Sequence, residues 1–323
     1  MTTLFPLFSL PYVPLKQILD NFRAQGILYL SMCSQRAKSV AVSYRGPSKN
    51  VKLTLQFGDW NCLSCMEGDD LYCLLSAENR SDLSSIEATV KIGNFCDIPV
   101  EVGKFGLNTY WEDRMTGIAE VGDYACEVFN QDIYRVVIRG KQAGDYSGRA
   151  AEWVSKSQKS IQHLHCVSLE KDYDLDFVLE NFNYIKKLSL NLNPPSTYCP
   201  AKPPNFRVDV LYLYVSFWIK LCHLLAMDCK IIQLRDSKLS SRDLNVFLKH
   251  WMAGGCSKLK LLHVSVKEPI DYAVVEVGKQ QTIRGGSDIK RSSDNVTATI
   301  INGGNHSKGF WMIVWPDFAG NSY

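Results

Sequence analysis

The sequence lacks the charge bias that is typical of nucleic-acid-binding proteins. Its 323 residues include 36 Lys and Arg and 33 Asp and Glu, which gives a formal net charge of only +3. It also shows no dense cluster of Lys and Arg interleaved with aromatic residues, the pattern that marks a nucleic-acid surface. We therefore expect no nucleic-acid partner.

A long hydrophobic run is also missing. The apolar run from Val210 to Ile219 lies between Asp209 and Lys220, and it is about half as long as the ~20 residues that a transmembrane helix needs. The apolar N-terminus, MTTLFPLFSLPYVPL, is interrupted by three prolines and lacks a basic n-region and a small-residue cleavage site, so it does not fit a signal peptide. We expect a soluble protein with no membrane partner.

The cysteines do not fit a disulfide framework, because their number, 11, is odd and their spacing is irregular. Cys166 and Cys229 lie within apolar runs, where a reduced thiol packs as a small hydrophobic group. Reduced thiols are typical of reducing compartments. We therefore expect an intracellular protein, cytoplasmic or nuclear.

Motifs for catalysis and metal binding are absent as well. Cys62-x-x-Cys65 has no second pair of ligands, so we interpret it as two packed thiols rather than a zinc or redox site. His163 and His165 flank Leu164 on a predicted strand, so both point to one face as surface histidines. No GxSxG nucleophile motif or phosphate-binding loop occurs. We expect no enzyme activity, cofactor or metal; a cysteine-dependent metal or redox enzyme is the alternative.

The hydrophobic pattern divides the chain into three segments. In residues 4–50, Leu15, Ile18, Leu19 and Phe22 recur at helical spacing, which predicts an amphipathic helix. Residues 51–145 contain alternating apolar and polar stretches at 51–57, 87–93 and 134–140. This alternation predicts a β-rich connecting region.

Residues 146–323 show a strand–helix–strand rhythm. Strands are predicted at 163–169, 185–192, 229–234 and 259–266. Ser240 and Asp243 resemble a capping box before an apolar stripe. The offset between the last two of these strands is about thirty residues, as in leucine-rich-type repeats. The tail predicts a hairpin, in which strands 298–301 and 310–315 flank the turn residues 302–305.

The N-terminal segment has more large apolar groups than such a short unit can bury by itself. Residues 5–45, FPLFSLPYVPLKQILDNFRAQGILYLSMCSQRAKSVAVSYR, closely resemble the F-box of the large nematode F-box family. Members of that family pair the F-box with a type-2 F-box-associated domain. The likeness continues at 216–230, 239–260 and 310–323, and its most specific parts are the Leu10-Pro11 pair and the run DLNVFLKHW.

The resemblance implies that the F-box binds a Skp-family adaptor by helix-in-groove docking. The residues that match the motif, and so imply adaptor contacts, are Leu7, Leu10, Pro11, Leu15, Ile18, Leu19, Ile27, Leu28 and Leu30. Many F-boxes close with a Trp. This chain instead continues through Arg36 and Lys38 to Tyr44 and Arg45, a departure that the nematode family shares.

The patterns and the resemblance together predict an α+β fold. An N-terminal helical F-box (4–50) would be followed by the β-rich connecting region (51–145) and a leucine-rich-like strand–helix layer with β-rich flanking segments (146–323). The implied function is that of a substrate-receptor subunit of an SCF-type cullin–RING ubiquitin ligase. Its C-terminal domain would capture an unknown protein target. The alternative is a protein-binding leucine-rich-like scaffold with no ubiquitin-ligase role, in which the N-terminal segment only caps the rest of the chain.

Overall fold

The computed structural model divides the chain into two compact units, Met1–Ile161 and Gln162–Tyr323. The predicted segments 4–50 and 51–145 both lie in the first unit. The structure describes residues 7–44, 51–68, 70–86, 88–139, 146–158, 161–167, 172–182, 185–192, 194–200, 202–204, 206–275, 286–301 and 308–315.

The described N-terminus is helical, as the apolar spacing predicts. A 3-10 turn at Leu7–Ser9 precedes α1 (Tyr12–Asp20), α2 (Ala24–Cys33) and α3 (Gln35–Ser43). The second of these helices ends where the third begins, because the Ser34 side chain accepts a hydrogen bond from the backbone N–H of Ala37 at 3.1 Å. Such a cap satisfies one of the free N–H groups at a helix start.

The sheet of the first unit contains seven described strands, with both parallel and antiparallel pairs. Along the sheet the order is β7-β1-β2-β3-β6-β5-β4. Strand β1 pairs antiparallel with β2 and parallel with β7, while β3 pairs parallel with β6. The strands are β1 (Lys52–Phe57), β2 (Cys62–Glu67), β3 (Asp70–Asn79), β4 (Ala88–Ile92), β5 (Phe95–Val102), β6 (Leu107–Trp111) and β7 (Arg135–Arg139).

Two helices accompany this sheet, α4 (Arg114–Phe129) and α5 (Tyr146–Ser157). Asp113 caps α4 by accepting hydrogen bonds from the backbone N–H groups of Met115 and Thr116. Helix α4 packs closely on its neighbours: a Cβ atom at Gly117 would lie 2.4 Å from the Trp111 ring. That glycine is therefore required by the close approach of helix and strand.

The second unit contains eight described strands in the order β13-β14-β15-β12-β11-β10-β9-β8. The strands are β8 (His163–Val167), β9 (Lys187–Asn191), β10 (Val210–Leu213), β11 (Ile231–Ser237), β12 (Leu261–Val266), β13 (Gly286–Lys290), β14 (Thr297–Ile301) and β15 (Gly309–Val314). From β8 to β12, each strand pairs parallel with the next. Strands β13, β14 and β15 add antiparallel pairs beside β12.

The connections between the parallel strands carry α6 (Asp172–Asn181), α7 (Leu221–Ala226) and α8 (Ser241–Met252). Helix α8 begins at the predicted capping box. The Ser240 hydroxyl accepts from the backbone N–H of Asp243 at 3.2 Å, and the Asp243 carboxylate accepts from the backbone N–H of Ser240 at 2.8 Å. Its predicted stripe, Leu244, Phe247, Leu248 and Trp251, is buried.

Several predicted elements are confirmed, while others were missed. The strands at 163–169, 185–192, 229–234 and 259–266 correspond to β8, β9, β11 and β12. The tail hairpin is confirmed by the antiparallel pairing of β14 with β15, and its predicted turn residues lie outside the described part of the chain. The patterns missed β2, β3, β5, β6, β10, β13, α4, α5 and α7.

The predicted fold class, an α+β protein with a separate helical F-box and a leucine-rich-like layer, is wrong. The described residues form fifteen strands and eight α-helices, and sheet dominates both units. The three N-terminal helices are not a separate bundle, because α2 is bonded to other elements of the first unit: the Tyr29 hydroxyl donates to the Leu74 carbonyl of β3, and the Ser31 hydroxyl lies 3.0 Å from that of Tyr124 in α4. The parallel strands of the second unit belong to a mixed sheet that also contains β13, β14 and β15.

Within the described residues, no helix combines the length and the apolar character needed to cross a bilayer.

Replacing Ser240 with Ala removes the hydroxyl that caps α8, so we expect the free energy of unfolding to fall by about 1 kcal/mol. Urea denaturation of the full chain, followed by circular dichroism, measures this change. The control is Ser155→Ala, which removes an exposed hydroxyl from within α5 that donates only to the carbonyl of Glu152. Equal unfolding curves for Ser240→Ala and the control would contradict the capping role.

Candidate protein-binding site

The nine predicted adaptor-binding residues fall into three groups by exposure. Leu19, Ile27 and Leu28 are buried, with exposures of 1%, 1% and 0%. Pro11 is exposed. The half-buried residues are Leu7, Leu10, Leu15, Ile18 and Leu30. The buried three support the fold of the first unit, so only the other six present side-chain surface to a partner.

Helix α2 is held in place by polar contacts as well as by burial. The Tyr29 hydroxyl donates to the carbonyl of Leu74 at 2.9 Å and accepts from the backbone N–H of Leu107 at 3.0 Å. The hydroxyls of Ser31 and Tyr124 lie 3.0 Å apart. Burial raises the pKa of Tyr29, so its hydroxyl keeps the proton that it donates. These bonds fasten α2 to β3, β6 and α4.

The residues before and within the first turn of α1 form an exposed apolar surface. We call Leu7, Leu10, Pro11, Tyr12 and Val13 the leader surface. Tyr12 and Val13 are 73% and 63% exposed, and Pro11 is also exposed. Contiguous apolar side chains in water are a mark of an interaction surface, so this surface is the part of the N-terminus that suits a partner.

Contacts with α3, and with Tyr44 directly after α3, hold the leader surface and α1 in position. The Arg36 guanidinium donates to the carbonyl of Phe8 at 2.6 Å, which links the 3-10 turn to α3. The Tyr44 hydroxyl donates to the Asp20 carboxylate at the end of α1. Lys16 and then Tyr44 lower the pKa of Asp20 by hydrogen bonding to its ionised form.

In the second unit, the parallel strands leave one face of the sheet open. Side chains alternate between faces along a strand. One set is buried: Leu164, Leu188, Leu211, Ile232, Leu234, Leu262 and Val264 are each at most 2% exposed. The intervening side chains of β8–β12 and β15 form the other face. We call this second set the open face.

One row of side chains crosses the open face from strand to strand. Each member of the row is paired in register with the next, from β8 to β15. The row consists of His165, Ser189, Tyr212, Gln233, His263 and Trp311. Neighbouring strands lie about 4.8 Å apart, so these side chains are adjacent. The row is rich in aromatic rings, which supply large contact area at a low cost in conformational entropy.

At one end of this row, two rings stack. The ring centroids of His263 and Trp311 are 3.8 Å apart with an interplanar angle of 18°. Burial, and then the positive charge of Arg235, lower the pKa of His263 from its ordinary value of 6.5. The imidazole is therefore neutral near pH 7, which favours its stacking on the indole without a desolvated charge.

Cationic side chains lie over tyrosine rings of the open face. The Lys187 ammonium is 4.8 Å from the centroid of the Tyr212 ring, and the Arg235 guanidinium is 5.1 Å from that of Tyr214. Tyr214 also stacks with His165 at 6.5 Å. Cation–π contacts of this kind hold the long side chains against the sheet.

A cavity opens at the carboxyl ends of β11 and β12, beside the start of α8. Its volume is about 660 Å³, and its cationic lining residues are Lys238, Arg242 and Lys267. Glu268 and Asp271 also line it. Asp271 accepts hydrogen bonds from the backbone N–H groups of Ala273 and Val274, so that carboxylate is engaged in a turn.

Sequence reasoning found part of the open face. It placed His163 and His165 on one face of a strand, and both are half-buried while Leu164 is buried. It missed the row, because the stacked pair His263 and Trp311 lies far apart in sequence. The signal was the alternation of apolar with polar or aromatic residues in YLYV, IIQLR and LLHVS.

Other residues singled out from the sequence lie away from the open face or in the core. Tyr198 is buried, and its hydroxyl donates to Asp176 at 2.6 Å. Cys62 and Cys65 of β2 are 5% and 1% exposed. Among the described residues, no group of three or more His, Cys, Asp or Glu side chains could hold a metal ion.

Two comparisons with known proteins found similarity, one within the second unit and one along most of the chain. Residues 203–264 match the model of the F-box associated family, and they span β10, α7, β11, α8 and most of β12. The chain is 22% identical over 300 residues to the Skn-1 dependent zygotic transcript 15 protein of Caenorhabditis elegans, covering 87% of this chain and 85% of that protein. No solved structure matches. An F-box-associated match is compatible with a protein-binding role.

We expect the Arg235→Gln variant to raise the pKa of His263 without restoring it to 6.5, because burial is the larger cause of its lowering. An NMR titration of the imidazole ring protons gives the midpoint in each protein. In the wild type, His263 of the unfolded chain binds a proton at a higher pH than His263 of the folded chain does. The free energy of unfolding therefore falls as the pH drops through 6.5 towards the folded pKa.

The matched control for this titration is Lys249→Gln, which removes one positive charge from an exposed position of α8. That variant should leave the midpoint of His263 unchanged. A wild-type midpoint at or above the ordinary histidine value would show that the stacked imidazole is not desolvated as described.

Proposed function

We propose that the chain is a substrate-receptor subunit of an SCF-type cullin–RING ubiquitin ligase. The leader surface docks a Skp-family adaptor, and the open face of the second unit captures a target protein. The chain supplies binding only, and ubiquitin transfer belongs to other subunits. It acts in the cytoplasm or nucleus, where that machinery operates.

The observation that carries this proposal is the coincidence of two features in one chain. The residues that match the F-box associated family, 203–264, supply the central strands of the open face. An exposed apolar leader lies in the other unit, at the position where the sequence resembles an F-box. A receptor needs two separate protein-binding surfaces, and these two surfaces lie in different units.

The docking contact would be made by apolar anchors. Helix-in-groove recognition buries side chains of one helical face in a hydrophobic groove. Pro11, Tyr12 and Val13 are already exposed, so their burial by an adaptor needs no rearrangement of the core. Leu10 and Leu15 are half-buried and would complete the contact from the same side.

A second candidate function is a protein-binding scaffold with no ubiquitin-ligase role. The observation that favours it is the complete burial of Leu19, Ile27 and Leu28 inside the chain. Helices whose apolar side chains are used internally can cover the first unit without binding any partner. The two functions differ in one respect, which is whether the leader surface binds an adaptor.

Replacing Leu10 and Pro11 with Glu in the full chain should weaken adaptor binding at least about tenfold, because each charge would have to be desolvated in an apolar groove. Isothermal titration calorimetry with a purified Skp-family adaptor measures this loss. The full chain is needed because α2 is folded against β3, β6 and α4.

The control is Val102→Glu, which introduces one of the two added negative charges at an apolar side chain that is 83% exposed in the first unit. This control should bind the adaptor like the wild type. A wild type that ignores the adaptor at micromolar concentration would favour the scaffold function. If the double variant binds the adaptor as tightly as the wild type does, the leader surface is not part of the docking contact.

A further inference from the structure

The open face has an excess of positive charge. The five parallel strands β8–β12 contain two permanently cationic side chains, Lys187 and Arg235. Their one carboxylate, Asp236, lies where the register between β11 and β12 shifts, and its φ angle is 50°. The row of paired side chains itself contains no carboxylate. An anionic ligand would therefore meet little repulsion across the face.

The charge is also distributed unevenly along the strands. At the amino ends, Asp209 and Asp228 are each paired with a lysine: Lys230 at 3.1 Å and Lys258 at 2.7 Å. At the carboxyl ends, Arg235 and Lys238 are exposed beside the cavity that Lys267 lines. Unpaired cationic side chains therefore cluster at the carboxyl ends of β11 and β12, where the carboxylates of Asp236, Glu268 and Asp271 also lie.

We propose that the open face binds a segment of a protein rich in aspartate, glutamate and aromatic residues. Its carboxylates would lie against Arg235, Lys187 and Lys238, and its aromatic side chains against Tyr212 and the His263–Trp311 stack. This inference deepens the proposed function, on which it rests, by naming the chemical class of the captured target.

The chemistry of the contacting groups supports this occupant. The planar guanidinium of Arg235 presents paired N–H donors that match a carboxylate, and its position over the Tyr214 ring limits its motion. Lys187 is restrained over Tyr212 in the same way. Aromatic and arginine side chains dominate the binding energy of protein interfaces. The open face provides both types on rigid strands.

Charge distribution favours a protein segment over a nucleic acid. Phosphate backbones are usually bound through about 6–10 phosphate contacts by clustered Lys and Arg. The five parallel strands provide only two permanent cations, Lys187 and Arg235, and the net charge of the whole chain is +3. A few cations between aromatic rings are better matched to carboxylates spaced along a peptide.

The test uses the full chain and three fluorescein-labelled peptides, in which tyrosine alternates with glutamate, glutamine or lysine. Fluorescence anisotropy should show saturable binding of the glutamate–tyrosine peptide and weaker binding of the other two. The variants Arg235→Gln and Lys187→Gln should each weaken it about fivefold, as expected for partly exposed ion pairs. Trp311→Ala should weaken it about tenfold, because a stacking anchor is lost.

The control Lys249→Gln removes the same charge from α8 and should leave the affinity unchanged. Three results would overturn the proposal. The glutamine–tyrosine peptide could bind as tightly as the acidic one, or Lys249→Gln could weaken binding as much as Arg235→Gln. Alternatively, labelled oligouridylate could bind more tightly than the acidic peptide and lose affinity in Arg235→Gln, which would identify a nucleic-acid surface.

Failure of this inference is distinguishable from failure of the proposed function. Adaptor binding is measured by calorimetry on the same preparations, and its contact lies in the first unit. If the adaptor binds and the acidic peptide does not, the target class is wrong while the receptor function stands. If the peptide binds and the adaptor does not, the open face is a peptide-binding surface of a scaffold.

Discussion

The in-register parallel pairing of β8 to β12 is the constraint on which the candidate target site depends. Because side chains alternate along each strand, burying Leu188, Leu211, Ile232 and Leu262 on one side places every intervening residue on the other. Register then aligns those residues across the sheet, so that residues distant in sequence become neighbours. The aromatic and cationic character of the open face follows from this alignment rather than from any local motif.

The N-terminal helices meet two demands at once. Tyr29 and Leu28 fix α2 within the first unit, while Pro11 and Val13 remain exposed. The same segment can therefore stabilise its own unit and still offer an apolar surface. Burial of some motif residues does not by itself decide between a receptor and a scaffold, because the buried and exposed residues lie at different positions of the segment.

The sequence predicted those elements that depend on interactions between residues close together in the chain. The capping box of Ser240 and the alternation in β12 were readable because each depends on residues close in sequence. Helix α4 was missed since Gly117 and Gly122 lower helix propensity, and only close packing against Trp111 and Leu55 explains them. The predicted fold class was wrong because it, too, depends on contacts between residues that are not close in sequence. The pairing of strands far apart in sequence builds each sheet, and no short pattern records it.

The anchoring of α2 through the Leu74 carbonyl and the Leu107 amide has a consequence for genetics. Substitutions deep in β3 or β6 that displace these backbone groups would release Tyr29 and shift the helices that carry the leader. Such alleles would resemble lesions in the leader itself, although they touch no residue on its surface. The folding of each missense variant in the first unit should therefore be measured before that variant is used to map an interface.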